Sequence, residues 1–168
     1  MCEVVRLVDQ YLIDEMLSLH ESGLLLSHPA LTGRRVGDPQ EDGYRKTKRV
    51  MMSHRMFPEI CERIEGYFEE DLKVNQFDYL IYNVGDRYKK HTDAEVGDED
   101  AKRVYTTVTM LDKSDDLEGG NLVVYNDDGS VVTINLGIGD TAIFRSNLVH
   151  EATEVIRGTR KVLVAWLF

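Results

Sequence analysis

The sequence predicts an α+β fold that is mainly β, with N-terminal helices packed on one face of an antiparallel β-sandwich or barrel. Three observations lead there. Apolar residues recur at helical spacing in the first part of the chain. From about residue 75 the period changes to short β-branched and aromatic runs broken by Gly-Asp, Gly-Gly and Asn-Asp-Asp-Gly turns. Helices first and strands afterwards suit helices stacked on a sheet pair.

The first helix lies in "VDQYLIDEMLSLHESG", where Val8, Tyr11, Leu12, Met16 and Leu19 form the stripe and Gly23 the stop. A second covers "FPEICERIEGYFEEDL", with Pro58 in its first turn and Ile60, Ile64, Tyr67 and Phe68 inward. Between them the chain reads as loop to Gly43. One strand follows, in "YRKTKRVMM", whose basic residues suit a solvated edge. The β half contains "FDYLIYNV", "RVYTTVTML", "NLVVY", "VVTINL", "TAIFR" and "RKVLVAWLF". "LVVYNDDGSVVTI" is a hairpin turning at Asp128-Gly129. In the last strand Arg160, Val162, Val164 and Trp166 share one face, and Lys161, Leu163, Ala165 and Leu167 the other. Both faces are largely apolar. The sandwich interior is expected over one and the helices over the other.

With 168 residues, the chain is expected to be a single domain: a helical support region at 1–74 and a β core at 75–168. A formal net charge of −10 argues against nucleic acid or an anionic membrane as partner. The two cysteines, Cys2 and Cys61, form neither a disulfide framework nor a metal pattern. The first residues place acids within an apolar stretch, unlike a signal peptide or membrane span. A reducing, cytoplasmic location is expected.

Chemistry concentrates in "YKKHTDAEVGDED" (88–100). On extended backbone His91 and Asp93 point the same way, so an imidazole and a carboxylate can share one ion. Alone, such a pair is more often a solvated surface feature. Of the other histidines, only His150 opens a strand in the β region. Two histidines and a carboxylate make the facial triad of non-heme Fe(II) oxygenases. Arg160, ten residues on, faces the apolar side of the last strand. There it meets an anion, pairs with Glu154, or reaches to the rim.

The ordered series "YNVGDRYKKHTD", "RVYTTVTML", "GGNLVVY", "GDTAIF" and "HEATEVIRGTRKVLVAW" resembles the prolyl 4-hydroxylase-like branch of the 2-oxoglutarate/Fe(II)-dependent dioxygenases, from about Tyr82 to Trp166. The resemblance implies a jelly-roll, cupin-like double-stranded β-helix. It implies His91, Asp93 and His150 as metal ligands and Arg160, Tyr82, Thr106 and Trp166 around 2-oxoglutarate. Tyr88 and Arg103 match positions near the substrate. The implied cofactors are Fe(II), 2-oxoglutarate and O2, with ascorbate as an optional addition. No protein acid, base or nucleophile is needed beyond the metal centre. The implied reaction hydroxylates an unactivated C–H bond and releases succinate and CO2. Its expected substrate is a prolyl residue in a peptide or protein, with a free amino acid or small metabolite as the alternative. A degenerate jelly-roll binding module is the non-enzymatic alternative.

The chain departs from the family pattern at Asn121-Leu122, Glu154-Val155 and Met110, which weakens the link to proline but removes no ligand. Trp166 stands where nucleic-acid dealkylases carry a second arginine, which sets that chemistry aside. The acids after Asp93 are either a site for a basic partner or a hydrated loop.

Overall fold

The structure, a computed structural model, describes residues 2–30, 44–50, 52–94 and 102–168. In chain order these form β1 (Glu3–Arg6), α1 (Gln10–Glu21), β2 (Ser27–Pro29), β3 (Arg45–Lys46), β4 (Lys48–Val50), a 3-10 turn (His54–Met56), α2 (Pro58–Glu65), β5 (Val74–Tyr82), β6 (Arg87–His91), β7 (Tyr105–Lys113), β8 (Glu118–Gly119), β9 (Leu122–Tyr125), β10 (Val131–Ile134), β11 (Asp140–Arg145), β12 (Val149–Ala152), β13 (Val155–Arg157) and β14 (Arg160–Leu167).

Two antiparallel sheets make the sandwich. The larger runs β1-β11-β7-β14-β5-β4-β2 and the smaller β10-β9-β12-β6-β3, with β13-β8 as a short ribbon. Long strands β5, β7 and β14 are neighbours at the centre of the larger sheet. The fold is therefore the mainly β, jelly-roll-like architecture expected.

β14 separates two cores. Leu163, Ala165 and Leu167 pack with Leu12, Ile13 and Met16 of α1 and Ile60, Cys61 and Ile64 of α2. Val162, Val164 and Trp166 face Leu122 and Val124 of the smaller sheet. A fully buried side chain of this size contributes about 1.5–3 kcal/mol, so a strand buried on both faces anchors the fold. The one polar outlier on the helix side, Lys161, ends 3.0 Å from Asp112 and 3.6 Å from Glu21. The 126–130 hairpin turn falls where expected, with Gly129 at φ +84°.

The N-terminal part departs from expectation in four places. Its described residues contribute four strands, not one. β1 and β2 are only four and three residues long, too short to show a period, and they form by pairing with β11 and β4. The basic run "YRKTKRV" is two strands. It crosses between the sheets at Thr47, whose buried hydroxyl donates to the Ile81 carbonyl at 2.7 Å. It is not a solvated edge, because Arg45 and Arg49 turn inward to the buried Asp78, at 3.6 and 2.6 Å. Tyr11 is exposed, because the inward face of α1 centres on Leu12, Ile13 and Met16, one position on and roughly 100° round the helix. α2 stops at Glu65, where glycine, a poor helix former, occupies position 66. Tyr67 and Phe68 continue only through bonds to the residues three back, and Tyr67 is left exposed.

Candidate metal centre

β6 ends at His91 and β12 carries His150, its direct cross-strand partner. Cross-strand partners point to the same face, so both imidazoles enter the sandwich. Just past His150 the register slips, and Ala152 faces Tyr88 where plain pairing would give Lys89. This extra residue in β6 turns Tyr88 inward, and its ring stacks on His91 with centroids 3.5 Å apart. Arg45 lies over the Tyr88 ring at 4.7 Å.

Asp93 comes from the turn after β6. Its amide donates to the Ser146 carbonyl at 2.9 Å, as does that of Ala94 at 3.1 Å. One carboxylate oxygen lies 3.5 Å from His91 Nε2 and the other 3.4 Å from His150 Nε2. All three residues offer ligand atoms within 4.8 Å of one another.

This donor set fits a divalent metal. His91 Nδ1 bonds the Lys89 carbonyl at 2.7 Å, and His150 Nδ1 bonds the Leu148 carbonyl at 3.0 Å. A carbonyl only accepts, so each Nδ1 carries the hydrogen and each Nε2 can direct a lone pair to the shared centre.

Electrostatics agree. Burial pushes the Asp93 carboxyl up, but its interactions with His150 first, and with His91, outweigh it and hold it well below the usual range. Burial also works against a charged His150, yet the Asp93 carboxylate raises its pKa. Burial lowers that of His91 in spite of Asp93. The Asp93 carboxylate thus favours positive charge at this cluster, which a divalent cation can supply.

Arg160, 4% exposed, faces the same interior. It stands opposite Tyr82 in the β14–β5 ladder, with its guanidinium carbon 4.8 Å from the Tyr82 ring. Nη1 donates to the Gly120 carbonyl, and the buried Nε has no hydrogen-bond partner. Glu154 is not its counter-ion, since that carboxylate pairs with Arg87 at 2.5 Å. Among the described residues no carboxylate makes an ion pair with Arg160. A buried guanidinium with an orphaned donor fits the far carboxylate of 2-oxoglutarate.

Of the adjacent Gly119 and Gly120, the second packs against this side chain. Both have positive φ, +76° and +63°. A Cβ on Gly120 would stand 3.2 Å from Arg160 Cδ and 2.8 Å from Val155 Cγ2.

The remaining residues expected at the site divide into groups. Tyr82 lines the interior beside Arg160. Trp166 is buried on the same face, with the Arg103 guanidinium 4.3 Å over its ring. Arg103 also donates to the Asp93 carbonyl at 3.2 Å and to Gln76 Oε1 at 2.9 Å, so it borders the cluster. Thr106 is turned toward Asp93 and donates to its Oδ2 at 2.8 Å. The acids from Glu95 to Asp100 lie outside the described residues.

Sequence reasoning missed Asp78 and Ser146; the run "YRKTKRV" loosely resembles an Arg-x-Ser/Thr strand that borders the site in the family, but the inward turn of Arg45 and Arg49 was not expected. The signal for Asp78 was available: one acid inside the apolar run "FDYLIYNV", on the same alternation as Leu80 and Tyr82.

Residues 77–168 match the family described as the 2OG-Fe(II) oxygenase superfamily. The chain belongs to that superfamily, a class of oxidoreductases, as its motifs implied. A PKHD-type hydroxylase of Maricaulis maris is 32% identical over 87 residues, 51% of this chain. The match spans only 38% of that relative's length. Solved structures with the same fold include a Pseudomonas putida prolyl-4-hydroxylase (TM-score 0.68, 16% identity, 99% of this chain and 91% of that one). Another is a Trichoplax adhaerens prolyl hydroxylase in complex with a hypoxia inducible factor peptide fragment (TM-score 0.71, 18% identity, 99% and 83%). A Burkholderia pseudomallei oxidoreductase of the 2OG-Fe(II) oxygenase family gives 0.73 at 14% identity, over 99% and 84%.

Proposed function

We propose that the chain is an Fe(II)- and 2-oxoglutarate-dependent dioxygenase that hydroxylates an unactivated C–H bond, with a prolyl residue in a peptide or protein as its substrate. The observation that carries this is that two Nε2 atoms, a carboxylate and a buried guanidinium with an unpaired donor all turn to the sandwich interior. His91, Asp93 and His150 hold Fe(II). Arg160, backed by Tyr82, takes the distal carboxylate of 2-oxoglutarate, and Trp166 forms the wall beside it. Tyr88 and Arg103 border the substrate side. Bound Fe(II) with 2-oxoglutarate and O2 supplies the oxidising power for C–H cleavage, with succinate and CO2 as co-products and ascorbate as an optional reductant. The protein's part is to orient the reactants and to keep water out with the apolar walls around Val162, Val164 and Leu80.

The reading includes residues 1–168 as one domain, with 1–74 supporting a jelly-roll core at 75–168. It places the protein in the cytoplasm, where the separate thiols of Cys2 and Cys61 stay reduced. No helix among the described residues is long and apolar enough to cross a membrane.

One observation favours a second substrate class. Arg45, Arg49 and Arg103 gather about Asp78 on the Tyr88–Trp166 side of the cluster. Such a basic rim suits a free amino acid or another small carboxylate.

The test is 2-oxoglutarate turnover against proline-containing peptides and free amino acids, read by mass spectrometry for a gain of one oxygen. Oxygen gain on a prolyl peptide supports the first reading, and gain on free amino acids alone supports the second. Mn(II) binding without succinate release on any substrate would leave the binding-module alternative.

A further inference from the structure

Behind the metal cluster lies a pair of hydroxyls that the reaction itself does not use. Thr106 Oγ1 donates to Asp93 Oδ2 at 2.8 Å and lies 2.9 Å from Ser146 Oγ. Threonine has a single hydroxyl proton, and an ionised carboxylate only accepts. With that proton on Asp93, the bond between the hydroxyls must run from Ser146 to Thr106. The three side chains form a directed relay that ends on one carboxylate oxygen. Thr106 and Ser146 are both fully buried.

The relay is built on rigid parts. Thr106 sits within the sheet, between Phe144 of β11 and Trp166 of β14. Its branched Cβ restricts χ1, so the hydroxyl has little freedom to turn away. Ser146 follows β11 directly. Its carbonyl accepts from the amides of Asp93 and Ala94, and its own amide donates to the Val104 carbonyl at 3.1 Å. The same residue thus fixes the Asp93 turn through its backbone and feeds the relay through its side chain.

The carboxylate needs this help. Rotation about its last bond is broad and roughly two-fold, so the turn alone does not set where its oxygens point. In the observed rotation Oδ1 faces His91 Nε2 and Oδ2 faces His150 Nε2. The hydrogen bond from Thr106 holds Oδ2 from behind and keeps the carboxylate edge turned to both imidazoles.

We propose that Thr106, supported by Ser146, is a positioning residue for the metal, acting through Asp93 and not through 2-oxoglutarate. This rests on the reading of His91, Asp93 and His150 as metal ligands. Removing such an outer partner weakens metal binding by about 10–100-fold.

The experiment is Mn(II) titration of the wild type, Thr106→Val, Thr106→Ser and Ser146→Ala, with the melting temperature and 2-oxoglutarate affinity at saturating Mn(II) read beside it. Valine keeps the shape and removes the hydroxyl, and serine restores it. The expected result is a Mn(II) Kd raised roughly 10–100-fold in Thr106→Val, near wild type in Thr106→Ser, and raised by a smaller factor in Ser146→Ala. The 2-oxoglutarate affinity of the Mn(II)-loaded variants should stay unchanged. A wild-type Mn(II) Kd in a folded Thr106→Val protein would overturn the proposal, as would equal losses in the valine and serine variants. If Thr106→Val does not fold, Ser146→Ala decides: an unchanged Kd there counts against the relay. A wild-type protein that binds no Mn(II) removes the ligand assignment itself, and the relay with it.

Discussion

His91 and His150 face each other across the β6–β12 ladder, and each ring gives its Nδ1 hydrogen to the carbonyl two residues before it in sequence. One local device is used twice, once on each strand. It fixes the tautomer of both imidazoles and aims both Nε2 atoms at Asp93. The cluster is thereby preorganised by backbone geometry.

His91→Ala removes one Nε2 and leaves the rest of the cluster in place. The expected outcome is loss of the thermal shift given jointly by Mn(II) and 2-oxoglutarate, because only binding to the folded state raises the melting temperature. Substrate-dependent succinate release should fall to background. Retention of most of that activity would remove His91 from the ligand set.

Arg160→Met keeps the aliphatic bulk of the side chain and deletes the charge. A charge-assisted hydrogen bond contributes about 1.5–3 kcal/mol, so 2-oxoglutarate affinity should drop by roughly 10–100-fold. Mn(II) affinity should hold, since none of the three ligands contacts Arg160 among the interactions described. Isothermal titration with each ligand separately checks both halves. Equal loss of Mn(II) and 2-oxoglutarate binding would mean that Arg160 supports the whole chamber and is not specific to the cosubstrate.

Much of this arrangement was legible in the sequence, for physical reasons that differ by residue. The two apolar faces of β14 follow from strict alternation, and so does a layer over each; the structure puts the helices over Leu163 and the smaller sheet over Val164. The triad follows from residue type and order. β1 and β2 were not legible, because strands of four and three residues form through partners far along the chain. The inward turn of Tyr88 was implied by the resemblance alone, since it depends on an extra residue in β6 that violates alternation. Arg45 and Arg49 read as solvated because their partner, Asp78, lies about thirty residues on, inside an apolar run.

That buried Asp78 cluster makes a stability prediction. Burial pushes the Asp78 carboxyl up even though Arg49 and Arg45 pull it down. A carboxyl raised in the folded state favours folding most below its unfolded value, and that contribution is lost as pH rises through the folded value. Asp78→Asn, neutral at every pH and similar in shape, should therefore gain on the wild type as pH climbs out of the acid range. Asp78→Ala takes the carboxylate away from two guanidiniums without replacing its acceptors. It should cost about 3 kcal/mol, the low end for a broken buried pair, because Arg49 still reaches water. Urea melts of both variants at several pH values test this. A pH-independent difference between Asp78→Asn and the wild type would contradict the raised carboxyl.

The adjacent glycines 119 and 120 should respond differently to the same substitution. In Gly119→Ala the new Cβ would lie 2.1 Å from the Glu154 carbonyl oxygen, which is backbone in a paired ribbon and cannot step aside. With φ at +76° as well, the change should lower the melting temperature strongly and affect every function together. In Gly120→Ala the nearest atoms are side chains, Val155 Cγ2 and Arg160 Cδ, which can shift by a few tenths of an ångström. Its φ of +63° still adds a smaller backbone penalty. Val155 must give way first, and Arg160, already tied to the Gly120 carbonyl, is crowded with it. Gly120→Ala should thus remain folded and bind Mn(II) normally, yet bind 2-oxoglutarate more weakly. Thermal melts with and without each ligand separate the two effects. A Gly120→Ala protein with full 2-oxoglutarate affinity would show that the guanidinium does not depend on this glycine for its position.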